Sequence, residues 1–323
     1  MKKTAPFLAL IICLLLALSV GATQIDSFWS ALLHPGSNAI LWEIRLPRVI
    51  AAVIIGAALG IAGLLAQGAC NNALAEPAIL GTTAGATLGA VVGILIGLAQ
   101  VGSVGAIICG VVGALLTTAM TFKLAALRLE LSSFALIIVG IAVSAVISSL
   151  AAILSLIANR ADARSISFWS FGSLALVTKE NLIGITITTI AGLLIAYTIA
   201  PSLDRLSLGD STAFHLGVDP RRLRLIALVA LSLLSGGAVS TVGTIAFIGL
   251  AAPHIARFIY GPSHRLLIGQ SAVIGSLIVL IADTFARTVF APNELPIGLA
   301  TSLLGAPILI ALVSLRSNLW KTQ

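Results

Sequence analysis

From Leu46 to Gln67 the chain reads LPRVIAAVIIGAALGIAGLLAQ, and beyond Arg48 this run holds no charged residue. About 20 apolar residues wound as a helix cover roughly 30 Å, the depth of a bilayer's hydrocarbon core. The stretch therefore reads as a transmembrane helix. The same rule marks further spans near 6–23, 79–99, 103–122, 134–158, 181–200, 224–242, 244–260, 267–287 and 295–315. Few polar residues separate 224–242 from 244–260. The expectation is an all-α membrane protein of about ten transmembrane helices, with residues 1–323 forming one transmembrane domain.

Composition leads to the same class. Of 323 residues 59% are hydrophobic and 9% charged, and mean hydropathy is +1.14. A soluble domain carries about 25% charged residues, so the solvent for this chain is lipid. Lys2 and Lys3 before an apolar run ending near Gly21-Ala22 also suit a cleaved signal peptide. With nine further spans behind it, a retained helix is expected. If the N-terminus is cytoplasmic, Lys2, Lys3, Lys123, Arg128, Arg205, Arg221, Arg222, Arg224, Arg257, Arg265, Arg316 and Lys321 lie inside. Arg45, Arg48, Arg160, Arg164, Lys179 and Arg287 lie outside. Twelve against six obeys the positive-inside rule and expects both termini in the cytoplasm. The net charge of +7 is then a topological signal rather than a nucleic-acid surface, and no basic run has interleaved aromatics. Cys13, Cys70 and Cys109 show no CxxC spacing and the four histidines are scattered, so no resident metal is expected.

Helices gain little by hiding leucine from lipid tails; they associate where small residues let backbones approach. Gly81, Gly85, Gly89, Gly93 and Gly97 recur every four residues and predict a buried third span, a flexible lid being the other reading. Gly140, Ser144, Ser148 and Ser155 share one face of the fifth span. They read either as a polar strip lining a substrate path or as small-residue packing with hydroxyls bonded to their own helix. Asp283 stands one turn before Arg287, where an i,i+4 pair is expected because an unpaired charge in lipid is costly. No chain of buried acids or histidines suggests a proton relay.

No GxxxxGK[ST] loop is present, so the chain is not expected to bind ATP. Leu234-Ser235-Gly236-Gly237 imitates part of an ATPase signature but lies inside the seventh span. The segment 201–223 is the longest expected in the cytoplasm, and its interior reads as a short helix. Asp210 or Ser211 is placed to cap it and Gly217 to stop it. Asp204, Asp210 and Asp219 dilute the basic character that lipid headgroups favour. Docking of its apolar residues into a groove of another protein, an ATPase, is the reading preferred.

Several blocks then resemble one family: Arg45-Leu46-Pro47-Arg48, Leu74-Ala75-Glu76-Pro77 with Leu80-Gly81, and Leu208-Gly209-Asp210 with Ala213 and Leu216-Gly217. Further along stand Phe247-Ile248-Gly249-Leu250 with Pro253-His254-Ile255-Ala256-Arg257, Ala282-Asp283 with Ala286-Arg287, Glu294-Leu295-Pro296-Ile297-Gly298 and Leu304-Gly305-Ala306-Pro307. In order and spacing they are similar to the iron-siderophore, haem and cobalamin permeases, the membrane subunits of type II ABC importers. The resemblance implies the type II importer permease fold and a second permease subunit, identical or homologous, with the substrate path between the two. It also implies two cytoplasmic ABC ATPases that use ATP and magnesium, and a soluble substrate-binding protein. It gives Leu208, Gly209, Asp210, Ala213, Leu216 and Gly217 to ATPase coupling, and Arg45, Arg48 and Arg287 to docking of the binding protein. The alternative for these arginines is plain anchoring of helix ends. Asn72, Leu74, Ser132 and Ser133 are similar to the cytoplasmic gate, although Ala73 stands where the family usually has proline, which implies a less stiff loop. Arg222, Leu223, Arg224 and Leu225 look closest to siderophore and ferric-citrate members. A ferric chelate is the expected cargo, with haem and cobalamin open, and an ion-coupled secondary transporter is the rival class.

Overall fold

Backbone N–H and C=O groups find no water in hydrocarbon, so a spanning segment must bond to itself as a helix. The computed structural model describes residues 5–307 apart from 22, 24, 26, 129–131, 176, 290, 292 and 304, and among these no strand occurs. Lys2, Lys3, Leu304, Arg316, Lys321 and the tenth expected span beyond 307 lie outside the described residues.

Helix α1 covers Ala5–Ser19 and α2 Phe28–Leu33. A π-helical turn, Ile40–Arg45, runs directly into α3, Leu46–Ala69. A 3-10 turn at Pro77–Leu80 precedes α4, Thr82–Leu95, and α5, Val104–Arg128. Then come α6, Ser133–Ile157, α7, Arg160–Ser170, α8, Lys179–Leu206, and α9, Asp210–His215. The series continues with α10, Pro220–Val242, α11, Ile248–Tyr260, α12, His264–Thr288, and α13, Ile297–Pro307.

Among the described residues six helices are long and apolar enough to cross a bilayer by themselves: α3 with its leading turn, α5, α6, α8, α10 and α12. The chain is a multi-pass membrane protein. The other expected spans coincide with shorter helices, α1, α4, α11 and α13. At 14 and 13 residues, α4 and α11 cover only about 20 Å each. The junction expected between 224–242 and 244–260 is a break of five residues, bounded by Gly243 and Phe247, both at positive φ. Two helices were not anticipated, α2 and α7.

The glycine stripe needs correction at both ends. Gly81 sits before α4 at φ 89° and Gly97 after it at φ 76°, so only Gly85, Gly89 and Gly93 lie on the helix. The burial they predict holds. A Cβ on Gly85 would meet the Gly113 carbonyl, and one on Gly89 the Cys109 carbonyl, both on α5.

Helices α3 and α10 are the most enclosed, whereas α6 and α8 turn most of their surface outward. Helix α12 runs antiparallel to α3. Gly56 approaches Gly275, Gly60 approaches Ser271, and Gly68 lies beside His264. Helix α11 closes the same face, where a Cβ on Gly63 would be driven into the Gly249 carbonyl. Gly63→Val is expected to cost about 3 kcal/mol, the upper end of over-packing penalties. Thermal melting of the detergent-purified protein would show it, with the exposed Ala145→Val unchanged as the control.

Candidate functional site

The antiparallel packing sends predicted site residues to opposite ends of the bundle. One end carries Arg45, Arg48, Asp283, Arg287 and Glu294. At the other lie Asn72, Leu74, Ser132, Ser133 and the segment 201–223.

At the first end the three arginines are buried, between 4% and 8% exposed. Arg48 Nε donates to Asp283 at 3.0 and 3.2 Å, and its Nη1 donates to both oxygens of Glu294 at 2.9 and 3.0 Å. Arg287 Nε stands 3.7 Å from Asp283 Oδ2, so the expected i,i+4 pair exists as a charge contact. Arg45 and Arg287 also cap α1. This helix has 15 residues, about 22 Å, and ends where its last carbonyls need donors. Arg45 Nη1 donates to the Leu18 and Ser19 carbonyls at 2.8 Å each, and Arg287 Nη2 donates to the Ala17 carbonyl. Arg45 and Arg287 thus hold the end of α1, and Arg48 joins α3 to α12 and to Glu294. Lys179 and Glu43 pair on the same rim at 2.6 Å, both largely exposed, a contact worth little.

Between the two ends a cavity of about 580 Å³ opens among α4, α6 and α7. Ser144, Ser148 and Ser155 line it, with Thr83, Thr87, Ser167, Ser170 and Thr244, and no charged side chain is among its lining residues. Gly140 is not there. It packs against the backbone at Ile79, where a Cβ would strike the carbonyl oxygen, so its small size serves helix approach. Most of the lining hydroxyls are also spent on backbone: Ser144 Oγ donates to the Ala78 carbonyl at 2.9 Å and Ser155 Oγ to the Ala151 carbonyl at 2.8 Å, and those of Thr87, Ser167, Ser170 and Thr244 likewise donate to carbonyls. Ser155 thus bonds to its own helix, as the packing reading expected, whereas the Ser144 bond crosses to the segment before α4. Helix α7 supplies Ser167 and Ser170 while burying Ile166 and Trp169. Its signal was the i,i+3 spacing of Ile166 and Trp169, opposite the exposed Arg160 and Arg164.

At the 201–223 end, Gly209 occupies the cap position of α9 at φ 100° and ψ 155°. The expected caps, Asp210 or Ser211, are instead the first two helical residues, and the Asp210 carboxylate is held by Arg224 at 2.7 Å. Gly217 follows the helix at φ 79°, the left-handed stop expected of it. Ala213 is fully buried, whereas Leu208, Phe214 and Leu216 are 61%, 67% and 49% exposed. In the neighbouring turn Asn72 Oδ1 accepts from the Leu74 N–H at 2.9 Å, which stiffens the loop that lacks proline at Ala73. Burial pushes the Glu76 carboxyl above the usual carboxylate range. Ser132 Oγ caps α6 by accepting from the Ala135 N–H at 3.2 Å. Arg224 joins these parts, a role that no local pattern announced.

The match to known proteins fits this layout. The FecCD transport family model covers residues 9–315. The chain belongs to the FecCD transport family. Relatives similar to it include the iron(3+)-hydroxamate import system permease FhuB of Bacillus subtilis, 36% identical over 90% of this chain and 77% of that protein. The hemin transport permease HmuU of Yersinia pestis is 34% identical over 95% and 94%. The vitamin B12 import permease BtuC of Vibrio cholerae is 34% identical over 94% and 90%. A solved inward-facing metal-chelate type ABC transporter superposes with TM-score 0.85 at 28% identity, covering 96% of this chain and 97% of the other.

Proposed function

We propose that this chain is the single-domain permease subunit of an ATP-driven importer that carries a ferric-siderophore-type complex across the cytoplasmic membrane by alternating access. One observation carries the reading. Three large apolar side chains, Leu208, Phe214 and Leu216, stand exposed around a six-residue helix outside the spans, next to the ion pair of buried Arg224 with half-exposed Asp210. An isolated helix that short is unstable in water, and exposed apolar groups on it call for a partner groove.

In this reading two cytoplasmic ABC ATPases dock there, through Leu208, Gly209, Asp210, Ala213, Leu216 and Gly217, and they alone use ATP and magnesium. A second permease subunit, identical or homologous, covers the outward faces of α6 and neighbouring helices, and lipid covers the rest. The cavity wall of Ser144, Ser148 and Ser155 then belongs to the path between subunits. Its uncharged hydroxyl and alanine surface suits a large cargo held weakly, so that nothing traps it in transit. Asn72, Leu74, Ser132 and Ser133 form the inner gate, and both termini face the cytoplasm. A soluble binding protein docks at the opposite end. Arg45, Arg48 and Arg287 contribute there as a field of three guanidiniums against two carboxylates, which steers an acidic partner more than it grips it. The permease makes and breaks no covalent bond.

The relatives named above move hydroxamate chelates, hemin or vitamin B12 at nearly equal identity, and haem or cobalamin is the second reading. The test is uptake into proteoliposomes holding the permease with its ATPase and binding protein. Radiolabelled ferric hydroxamate, hemin and cobalamin would be compared. Accumulation of the ferric hydroxamate only when ATP is supplied is expected. Accumulation driven by an ion gradient through the permease alone would overturn the importer reading, and selective uptake of hemin or cobalamin would overturn the substrate.

A further inference from the structure

Segments far apart in the sequence converge on one side chain at the 201–223 end. Arg224, near the start of α10, is 1% exposed. Its Nη1 and Nη2 donate to the two carboxylate oxygens of Asp210 at 2.7 and 2.8 Å. Its Nε donates to the Ala69 carbonyl at 3.0 Å, and Nη2 reaches Ser133 Oγ at 3.2 Å. These partners open α9, close α3 and open α6. Ala69 lies just before the turn that carries Asn72 and Leu74, and Ser133 follows the Ser132 cap.

The geometry is demanding. A guanidinium is planar, and its fork matches a carboxylate only when two N–H···O bonds run parallel. Such bonds weaken steeply as their angle falls. The Asp210 side chain is 49% exposed, so the pair is open toward α9 and closed toward the bundle. Were this only a rim contact, it would be worth little. A buried guanidinium, however, needs its donors met, and Arg224 meets them with groups from separate helices. Movement of α9 therefore pulls on a side chain that is also tied to the ends of α3 and α6.

We propose that Arg224 is a positioning residue that transmits displacement of α9 to the segments bearing Asn72–Leu74 and Ser132–Ser133. It rests on the reading of 201–223 as the ATPase-coupling segment. A lysine at this place keeps the charge but loses the fork. A glutamine keeps one donor group and loses the charge.

The experiment measures ATP hydrolysis and radiolabelled ferric hydroxamate uptake together, in proteoliposomes containing the permease, its ATPase and the binding protein. Arg224→Gln is expected to leave hydrolysis near the parent rate while uptake per ATP falls about ten-fold. Asp210→Asn changes the half-exposed partner and keeps the test informative if the buried change blocks folding; because Asp210 also faces the ATPase, its hydrolysis rate is left open and only the ratio of uptake to hydrolysis is read, which is expected to fall. Arg224→Lys should recover part of the loss. Combining Arg224→Asp with Asp210→Arg restores opposite charges but turns a carboxylate toward the Ala69 carbonyl, so it is expected to stay uncoupled. Full recovery in that swap, or an unchanged ratio of uptake to hydrolysis in both single variants, would overturn the proposal. A separate arm places cysteine at Phe214 and cross-links it to the ATPase. Absence of that cross-link in an otherwise unaltered permease removes the coupling reading itself, whatever the Arg224 variants do.

Discussion

Asp283→Asn is expected to destabilise the protein by about 3–5 kcal/mol, enough to leave little folded material at growth temperature. Asp283 is fully buried, and its carboxylate receives Arg48 and lies 3.7 Å from Arg287. Asparagine has the right shape and the wrong charge. Arg48 would then keep Glu294 as its carboxylate partner, whose side chain is 35% exposed and screened accordingly, and Arg287 would lose the carboxylate beside it. The pair also ties α3 to α12 at their ends, across 235 residues of sequence. Glu294→Gln removes the wetter carboxylate and should cost about 1 kcal/mol or less. Replacing both partners, Arg48→Met with Asp283→Leu, removes the charge imbalance and is expected to recover most of the loss. Thermal unfolding of nanodisc-embedded protein would rank the three variants. An Asp283→Asn protein as stable as the parent would show that the network contributes nothing.

Gly209→Arg is expected to abolish uptake while leaving the amount of inserted protein unchanged. The backbone at Gly209, φ 100° and ψ 155°, lies in a region essentially restricted to glycine. Any side chain there adds about 1–3 kcal/mol of local strain or shifts the start of α9. Nothing lies within 4 Å of an added Cβ, so the transmembrane bundle is not crowded and folding is spared. The shift falls on Asp210 and hence on its bond to Arg224, while the arginine adds bulk and charge on the surface proposed to meet the ATPase. Gly209→Ala isolates the backbone strain and should lose part of the uptake. Normal ATP-driven uptake by Gly209→Arg would remove the coupling role from this turn.

Much of the fold was legible because lipid imposes a length and a composition on every crossing segment. The run at 46–67 and its counterparts announce themselves by that rule, and α3, α5, α6, α8, α10 and α12 lie where expected. The rule loses force for α4 and α11, since it counts apolar residues but does not see where the backbone breaks. Gly81 and Gly97 share the period of Gly85, Gly89 and Gly93, yet they sit at positive φ beyond the helix ends. The same blindness placed Asp210 as a cap, when Gly209 holds that position and the carboxylate is drawn to Arg224.

Of the candidate sites, the sequence carried what is local: the Asp283–Arg287 spacing, the hydroxyl face of Ser144, Ser148 and Ser155, and the turn ending at Gly217. Each depends on residues within a few helical turns, where the 3.6-residue period fixes geometry. Arg224 bonds to groups 155, 91 and 14 positions away, and Arg48 to one 235 away. In the sequence Arg48 was read by resemblance as a docking residue and Arg224 as part of a siderophore-like block, and neither reading foresaw these partners. Helix packing alone brings their partners within reach; close approach at Gly56 and Gly60, for example, fixes which end of α12 meets Arg48 on α3. Membrane residence and helix order were thus settled by the order of residues, through the energetic demand of hydrocarbon. Which arginine meets which carboxylate was decided only when the helices closed on one another.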